Sequence, residues 1–233
     1  MTIARQLDTV RGRIAAACAA AGRDPQSVRL LAVSKTFGAE AVAEAAAAGQ
    51  TAFGENYVQE AAAKIDALAH LPLQWHCIGP LQANKTRAAA ERFAWVHTVD
   101  RLRIAERLAA QRPAGLPPLS VCIQVNIDGG PSKSGVAPDE APALARAVAL
   151  LPRLALRGLM AVPEPAEGFD AQLAVHRQVR ALFEAIRAEG GPGMERFDTL
   201  SLGMSGDLEA AIHAGSTLVR VGSAIFGNRN YAA

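Results

Sequence analysis

Four lysines stand out in a chain that otherwise writes its positive charge as arginine. Of 24 basic residues, 20 are Arg, and the exceptions are Lys35, Lys64, Lys85 and Lys133. A guanidinium stays protonated, whereas a lysine can release its proton and act as an amine nucleophile, so each lysine is a candidate for carbonyl chemistry. Lys35 is the sharpest of them. It follows Leu30-Leu31-Ala32-Val33, an apolar run that reads as a buried strand, so its stem leaves the strand at the edge of the core. Partial desolvation there lowers an amine's pKa and supplies the neutral form that imine formation needs. The structural alternative is a strand-end lysine that snorkels to water.

Two glycine-bearing segments near the end of the chain form the second feature: Ser201-Leu202-Gly203-Met204-Ser205-Gly206-Asp207 and Val221-Gly222-Ser223-Ala224-Ile225-Phe226-Gly227. Glycine lets a backbone approach an anion closely, and the Ser205 and Ser223 hydroxyls add donors, which is the chemistry of a phosphate cradle. Alternatively, Ser205 caps a helix and the glycines make turns. Arg220 interrupts the strand pattern Thr217-Leu218-Val219-Arg220-Val221. A charge in such a run needs a partner: a carboxylate such as Asp207 or Glu55, or a ligand ring nitrogen or anion. His70 and His176 fall on helix patterns and read as surface residues, His97 and His213 as structural ones. His76, beside Trp75 and ahead of a loop, is the one placed near a site. No His/Cys/Asp cluster has metal-ligand spacing, no Ser-His-Asp order stands out, and neither a Walker loop nor a dinucleotide fingerprint is present.

The elements that must position these residues alternate. Ile3, Leu7, Val10, Ile14 and Cys18 give an opening helix that stops at Gly22. Strand candidates follow at 29–35, 51–54, 74–78, 95–99, 120–126, 155–161, 198–202 and 217–221, separated by Ala-rich helical stretches at 39–48, 56–69, 84–92, 101–111, 138–150, 170–188 and 205–214. Asp100 and Ser205 read as N-caps, Pro138 as a first-turn residue, and Gly49 and Gly215 as C′ residues. Eight strand-then-helix units after one extra helix predict a (β/α)8 TIM barrel, with a doubly wound open sheet as the runner-up. No Pro/Gly/Ser-rich linker divides the chain, so 1–233 reads as a single domain. In a barrel, chemistry gathers at the C-terminal ends of the strands. Lys35, Asn56, the run from His76 to Lys85, Asn126, Met160, Ser201 and Arg220 all fall there.

Composition narrows the setting. The 233 residues are 50% hydrophobic and 20% charged, with a net charge of +2. There is no basic block for nucleic acid or a membrane surface, no apolar run of about 18 residues to span a bilayer, and no secretory signal pattern at the N-terminus. Cys18, Cys77 and Cys122 are odd in number and widely spaced, which reads as buried, reduced thiols in a cytoplasmic protein.

The motifs add up to a resemblance. Ala32-Val33-Ser34-Lys35-Thr36, Gly54-Glu55-Asn56-Tyr57-Val58-Gln59-Glu60, Ile78-Gly79-Pro80-Leu81-Gln82-Ala83-Asn84-Lys85, Val125-Asn126-Ile127, Lys133-Ser134-Gly135, Gly158-Leu159-Met160-Ala161 and the run from Ser201 to Gly227 occur in order. Together they resemble the pyridoxal phosphate homeostasis proteins (the YggS/PROSC-like family) from about Leu30 to Phe226. The resemblance implies a barrel similar to the N-terminal domain of alanine racemase, holding pyridoxal 5′-phosphate (PLP), the vitamin B6 cofactor, as a Schiff base on Lys35. It implies that Arg220 faces the pyridine nitrogen and that Ser205, Gly222 and Ser223 hold the phosphate. Ser201 and Met204 would lie close by, and Asn56 beside the ring. Lys133 would be a secondary contact. One departure is Asp128-Gly129-Gly130-Pro131-Ser132, where the family usually has an acidic residue in place of one glycine.

An arginine at the pyridine nitrogen disfavours its protonation and weakens the electron sink of carbanion chemistry, although alanine racemase also uses one. That racemase further needs a second acid/base, a tyrosine supplied by a C-terminal β-domain of the partner subunit. Here the chain ends at Ala233 with only Tyr57 and Tyr231. The expectation is therefore a PLP carrier that buffers or delivers the cofactor without substantial turnover. It would be a monomer with PLP-dependent apo-enzymes as transient partners and no nucleic acid or membrane. A minimal amino-acid racemase is the alternative. An aldolase without PLP explains Arg220 poorly, and a purely structural module does not explain polar residues converging on one face.

Overall fold

The computed structural model describes residues 2–130 and 133–227. Eight parallel strands close into a barrel in chain order: β1 (Arg29–Val33), β2 (Ala52–Glu55), β3 (Gln74–Cys77), β4 (Trp95–Val99), β5 (Leu119–Val125), β6 (Leu154–Ala161), β7 (Thr199–Ser201) and β8 (Leu218–Val221). Closure is made by β1 against β8, with Leu31 opposite Arg220 and Ala32 opposite Val221. An open doubly wound sheet has no such pairing, so the runner-up architecture is excluded.

The strand runs are apolar because both faces are covered, one by the barrel interior and the other by the helices. Helix α1 (Ile3–Ala20) is the extra element; it starts on Thr2, whose Oγ1 accepts the Arg5 amide. It buries Leu7, Val10, Ile14, Ala17 and Cys18, the period-3.6 stripe read from the sequence. The others are α2 (Ala39–Ala47), α3 (Val58–Ala67), α4 (Thr86–Arg92), α5 (Leu102–Gln111), α6 (Ala141–Ala149), α7 (Phe169–Glu189), α8 (Leu208–His213) and a short α9 (Ser223–Phe226). Helix α1 packs on α2, α8 and α9 and so lies across the outside of the closure. Between β6 and β7 the backbones approach so closely that a Cβ on Gly158 would sit 1.8 Å from the Thr199 carbonyl oxygen, and φ there is 150°, a conformation left to glycine.

Several predicted boundaries move. Helix α5 starts after Arg101, and Asp100 bonds the Arg101 side chain at 2.8 Å instead of capping. Pro138 lies in a turn ahead of α6, because Ala137 O accepts from Glu140 and Ala141 before the helix begins, and Pro142 takes the first turn. Ser205 is displaced from its cap position for the same kind of reason: the chain makes a further turn, and Asp207 precedes α8. Gly49 and Gly215 do follow α2 and α8 with φ of 82° and 99°. All three cysteines are free and buried, and burial pushes the Cys77 and Cys122 thiols up to about 12.

At the C-terminal ends of β1 and β2, facing α3, lies a buried ion pair. Lys64 Nζ reaches Glu55 Oε1 at 2.7 Å and Ser34 O at 2.8 Å, and Ser34 Oγ donates to the same carboxylate oxygen at 2.5 Å. Burial drives the Glu55 carboxyl above its ordinary range, against the pull of Lys64 and Ser34. Removing one member of such a pair strands the other. Lys64→Met is therefore expected to cost about 3 kcal/mol or more in urea unfolding at pH 7, with much of the loss recovered in Lys64→Met/Glu55→Gln. A single mutant within about 0.5 kcal/mol of the parent, the usual range for neutral surface changes, would contradict the assignment.

Candidate functional site

Because every strand points the same way, the loops after β1, β2, β3, β5, β6, β7 and β8 meet at one end of the barrel and surround a cavity of about 800 Å³. Lys35 lies two residues past β1. Ser34 continues the ladder by donating its amide to Gly54 O, after which the chain turns, with the Phe37 amide returning to Ser34 O at 3.1 Å. Thr36 holds φ at 70° in that turn, a costly conformation for a β-branched residue, worth on the order of 1–3 kcal/mol. Phe37 then packs on Phe226 with ring centroids 5.2 Å apart, joining the first loop to the last.

The last two loops supply the opposite wall. Gly222 follows β8, and a Cβ there would come within 3.1 Å of Val33 O, so the loop lies directly against the strand that leads to Lys35. Ser223 opens α9, and its Oγ meets Ser205 Oγ at 3.2 Å, bringing two hydroxyls from different loops together. Helix α1 supports this wall from outside: Arg13 donates to Ser205 O at 3.0 Å and to both oxygens of Glu209. The β7 loop is braced from inside the turn. Asp207 Oδ1 accepts the Met204 amide at 2.6 Å, and its Oδ2 faces His176 Nε2 at 3.0 Å. Burial alone would raise the Asp207 carboxyl, but the bonds from His176 and Met204 outweigh it and hold it below the ordinary range.

Arg220 lies on the cavity floor, 4% exposed. Neither carboxylate considered from sequence touches it: Glu55 is engaged by Lys64, and Asp207 by His176 and Met204. Its hydrogen bonds go to Ser201 O at 2.6 Å, Ser201 Oγ at 2.9 Å and Ala161 O at 2.9 Å. Burial lowers its pKa to about 10, with Asp207 acting in the other direction, so it remains a cation at neutral pH.

Of the residues singled out from sequence, Lys35, Asn56, Met204, Ser205, Arg220, Gly222 and Ser223 line the cavity. Ser201 is fully buried beneath Arg220 and holds it by side chain and carbonyl. Lys133 also reaches the rim, tied to Val162 O at 2.9 Å, Glu164 at 3.1 Å and Asp128 at 3.4 Å; Pro131 and Ser132 of its loop lie outside the described residues, as does Tyr231. His76 lies inside the barrel, 1% exposed, and not in the cavity wall. His176, read as a surface residue, is 1% exposed because α7 turns that face inward toward Asp207. Gln124 was missed. It lines the cavity from β5, with Nε2 on Ser134 O at 3.2 Å, and its signal was the one that marked Arg220: a polar residue in an apolar strand. Among the described residues no group of three or more His, Cys, Asp or Glu is placed to hold a metal ion.

Fold and site together define a (β/α)8 barrel with a lysine after the first strand, an arginine on the last, and paired serines beside them. The family description "Alanine racemase, N-terminal domain" matches residues 6–230. The chain is 58% identical over 232 residues to the pyridoxal phosphate homeostasis protein of Pseudomonas aeruginosa, covering 100% of this chain and 98% of that one. It is 55% identical over 233 residues to the protein of the same name in Escherichia coli K12, covering 99% and 98%. This chain belongs to the family of pyridoxal phosphate homeostasis proteins. Among solved structures it is similar to PipY of Synechococcus elongatus with PLP bound (TM-score 0.84, 37% identity, 97% of this chain and 100% of that one). The alanine racemase of Corynebacterium glutamicum shares the fold (TM-score 0.67, 22% identity), with this chain matching 63% of its length.

The Asp207 brace gives a pH signature. A carboxyl held below its unfolded value contributes stability that is present above about pH 4 and is lost as pH falls through the folded value. Asp207→Asn is expected to destabilise the barrel by about 1 kcal/mol or more at pH 7. The gap from the parent should narrow below pH 4 in denaturant titrations. A gap that stays constant with pH would contradict this.

Proposed function

We propose that the chain binds PLP in the cavity at the C-terminal end of the barrel and holds it covalently through Lys35 Nζ. On this reading it buffers or delivers the cofactor without substantial turnover. The observation that carries the reading is the convergence of Lys35, the buried Arg220 and two facing hydroxyls on a single cavity. When bound, PLP supplies an aldehyde that condenses reversibly with a primary amine, next to a ring nitrogen and a phosphate that need anchoring. The residues suit that group. Lys35 offers the amine, and Ser205, Ser223 and the backbone of the Gly222 loop offer donors to a phosphate. Arg220 offers a fixed N–H to the ring nitrogen, with Asn56 and Met204 at its sides and Ser201 beneath.

The same wall supports holding over catalysis. Among the described residues, Lys35, Lys133 and Arg220 are the titratable ones that line the cavity, and none of the described lining residues is a carboxylate, histidine, cysteine or tyrosine. Tyr57 is 58% exposed and outside it. Among the described residues, Lys133 is the other lining amine that could act as an acid/base, and it is engaged by Asp128, Glu164 and Val162 O. In this reading residues 1–233 act as one domain and as a monomer. The setting is the cytoplasm, and transient partners are apo-enzymes that accept the cofactor. No helix among the described residues is long and apolar enough to cross a membrane.

The test is a titration of the purified protein with PLP, followed by the visible absorption band of lysine-bound cofactor. The protein should develop the band and Lys35→Ala should not. Ser205→Ala/Ser223→Ala should bind at least about tenfold more weakly, as expected for loss of hydrogen bonds to a charged group. Exchange of amino-acid α-protons in deuterated buffer should stay at the level of free PLP. A band retained by Lys35→Ala would overturn the site, and exchange that disappears in Lys133→Met would make the protein an enzyme.

A further inference from the structure

Beneath Arg220 and Ser201 the barrel interior carries a line of polar groups, Gln74, His76 and His97, that the cofactor reading does not use. Gln74 Oε1 lies 3.0 Å from His76 Nε2, and His76 Nδ1 lies 2.9 Å from His97 Nε2. His97 Nδ1 lies 3.1 Å from Ser201 Oγ, which lies 2.9 Å from Arg220 Nη1. The groups come from β3, β4, β7 and β8 and run through the barrel from the β3 start to the cavity floor. His76, His97 and Ser201 are at most 1% exposed.

The chemistry of the ends sets the proton order. The Gln74 oxygen can only accept, so His76 donates to it from Nε2 and, in a neutral ring, accepts at Nδ1 the hydrogen carried by His97 Nε2. A neutral His97 then accepts at Nδ1, which takes the Ser201 hydrogen. Ser201 Oγ thereby presents a lone pair to Arg220, whose guanidinium only donates. All four bonds run in one direction, and both rings must be neutral to make them. The surroundings favour that state. Burial, with Arg220 and Arg29 nearby, holds His97 down to about 3; burial, His97 and Arg29 hold His76 well below its ordinary value. The groups packed around them are Arg29 on β1, Cys122 on β5 and Arg157 on β6, with Asp198 beside Arg157. The His76 ring stacks on Trp95 at 5.2 Å, and Arg29 and Arg157 lie over Trp95 at 5.0 and 4.7 Å, so packing also fixes the lower end.

We propose that Ser201, His97 and His76 are positioning residues for Arg220: their one-way chain of hydrogen bonds locks the Ser201 hydroxyl with a lone pair toward the guanidinium, and thereby fixes the cation that faces the cofactor's ring nitrogen. The proposal rests on the PLP reading above. Without the imidazole acceptor, the Ser201 hydrogen is released to turn toward Arg220, and the buried cation loses one of its three acceptors.

The experiment compares the parent with Ser201→Ala, Ser201→Thr, His97→Leu and His97→Asn, each loaded with PLP, by dissociation constant and by the pH midpoint of the visible band. Ser201→Ala and His97→Leu should each bind PLP about tenfold more weakly, the loss typical of a hydrogen bond to a charged group. Both should also move the band's midpoint in the same direction, by about 0.5 unit or more, since the charge beside the ring changes place. His97→Asn, whose Oδ1 stands near the Nδ1 position, and Ser201→Thr, which keeps the hydroxyl, should stay within about threefold of the parent and recover its midpoint. If His97→Leu does not fold, the Ser201 pair decides alone. Parent-like affinity and midpoint in Ser201→Ala, or Asn behaving as Leu at position 97, would overturn the proposal while leaving the PLP reading intact. A parent with no visible band would overturn both.

Discussion

The hydrogen-bonded pairing of β1 with β8 is the constraint on which the rest depends. Lys35 and the Gly222–Ser223 loop come from opposite ends of the chain, and closure of the barrel makes them neighbours, with Leu31 opposite Arg220. Everything outside that seam reinforces it. Helix α1 packs along it through α2, α8 and α9, Arg13 reaches from α1 to the Ser205 carbonyl, and Phe37 meets Phe226 across the top. A segment that precedes the barrel is thus part of the site's support.

The barrel solves its buried charges in two ways. Under Lys35, Lys64 and Glu55 neutralise each other and take up the Ser34 hydroxyl and carbonyl. Arg220 is treated differently: its bonds go to two carbonyls and one hydroxyl, all neutral. A cation satisfied by dipoles stays charged and retains its attraction for an incoming anion or ring nitrogen, whereas a paired one is already neutralised. That contrast distinguishes Lys64 from Arg220, although both side chains are buried.

The eight strands and the alternation were legible because parallel strands covered on both faces read as short apolar runs between amphipathic helices. So were the cavity residues Lys35, Asn56 and Arg220, since the rule that chemistry gathers at strand C-termini needs only strand ends to within a residue or two. Three things were not. Ser201 ends β7 as read, but alternation along three residues does not show that it turns toward Arg220 and His97. His176 carries a helix pattern that leaves open which face α7 buries, and its partner Asp207 lies in a loop whose extra turn no local signal marked. The short α9 was hidden within a glycine-bearing stretch that reads equally well as a turn. The first two concern which side of an element faces which neighbour, information held in tertiary packing; the third concerns a helix of four residues, too short for periodicity to mark.

The proposed role of Lys35 as the amine of a PLP site is best checked by reducing the PLP-loaded protein with borohydride and mapping the modified lysine by peptide mass spectrometry. With four lysines in the chain, the map has few places to go. The expected result is one phosphopyridoxyl group per chain, on Lys35, with Lys64 protected by its buried pair. A label on Lys64, Lys85 or Lys133 in its place, or no stable label at all, would contradict it.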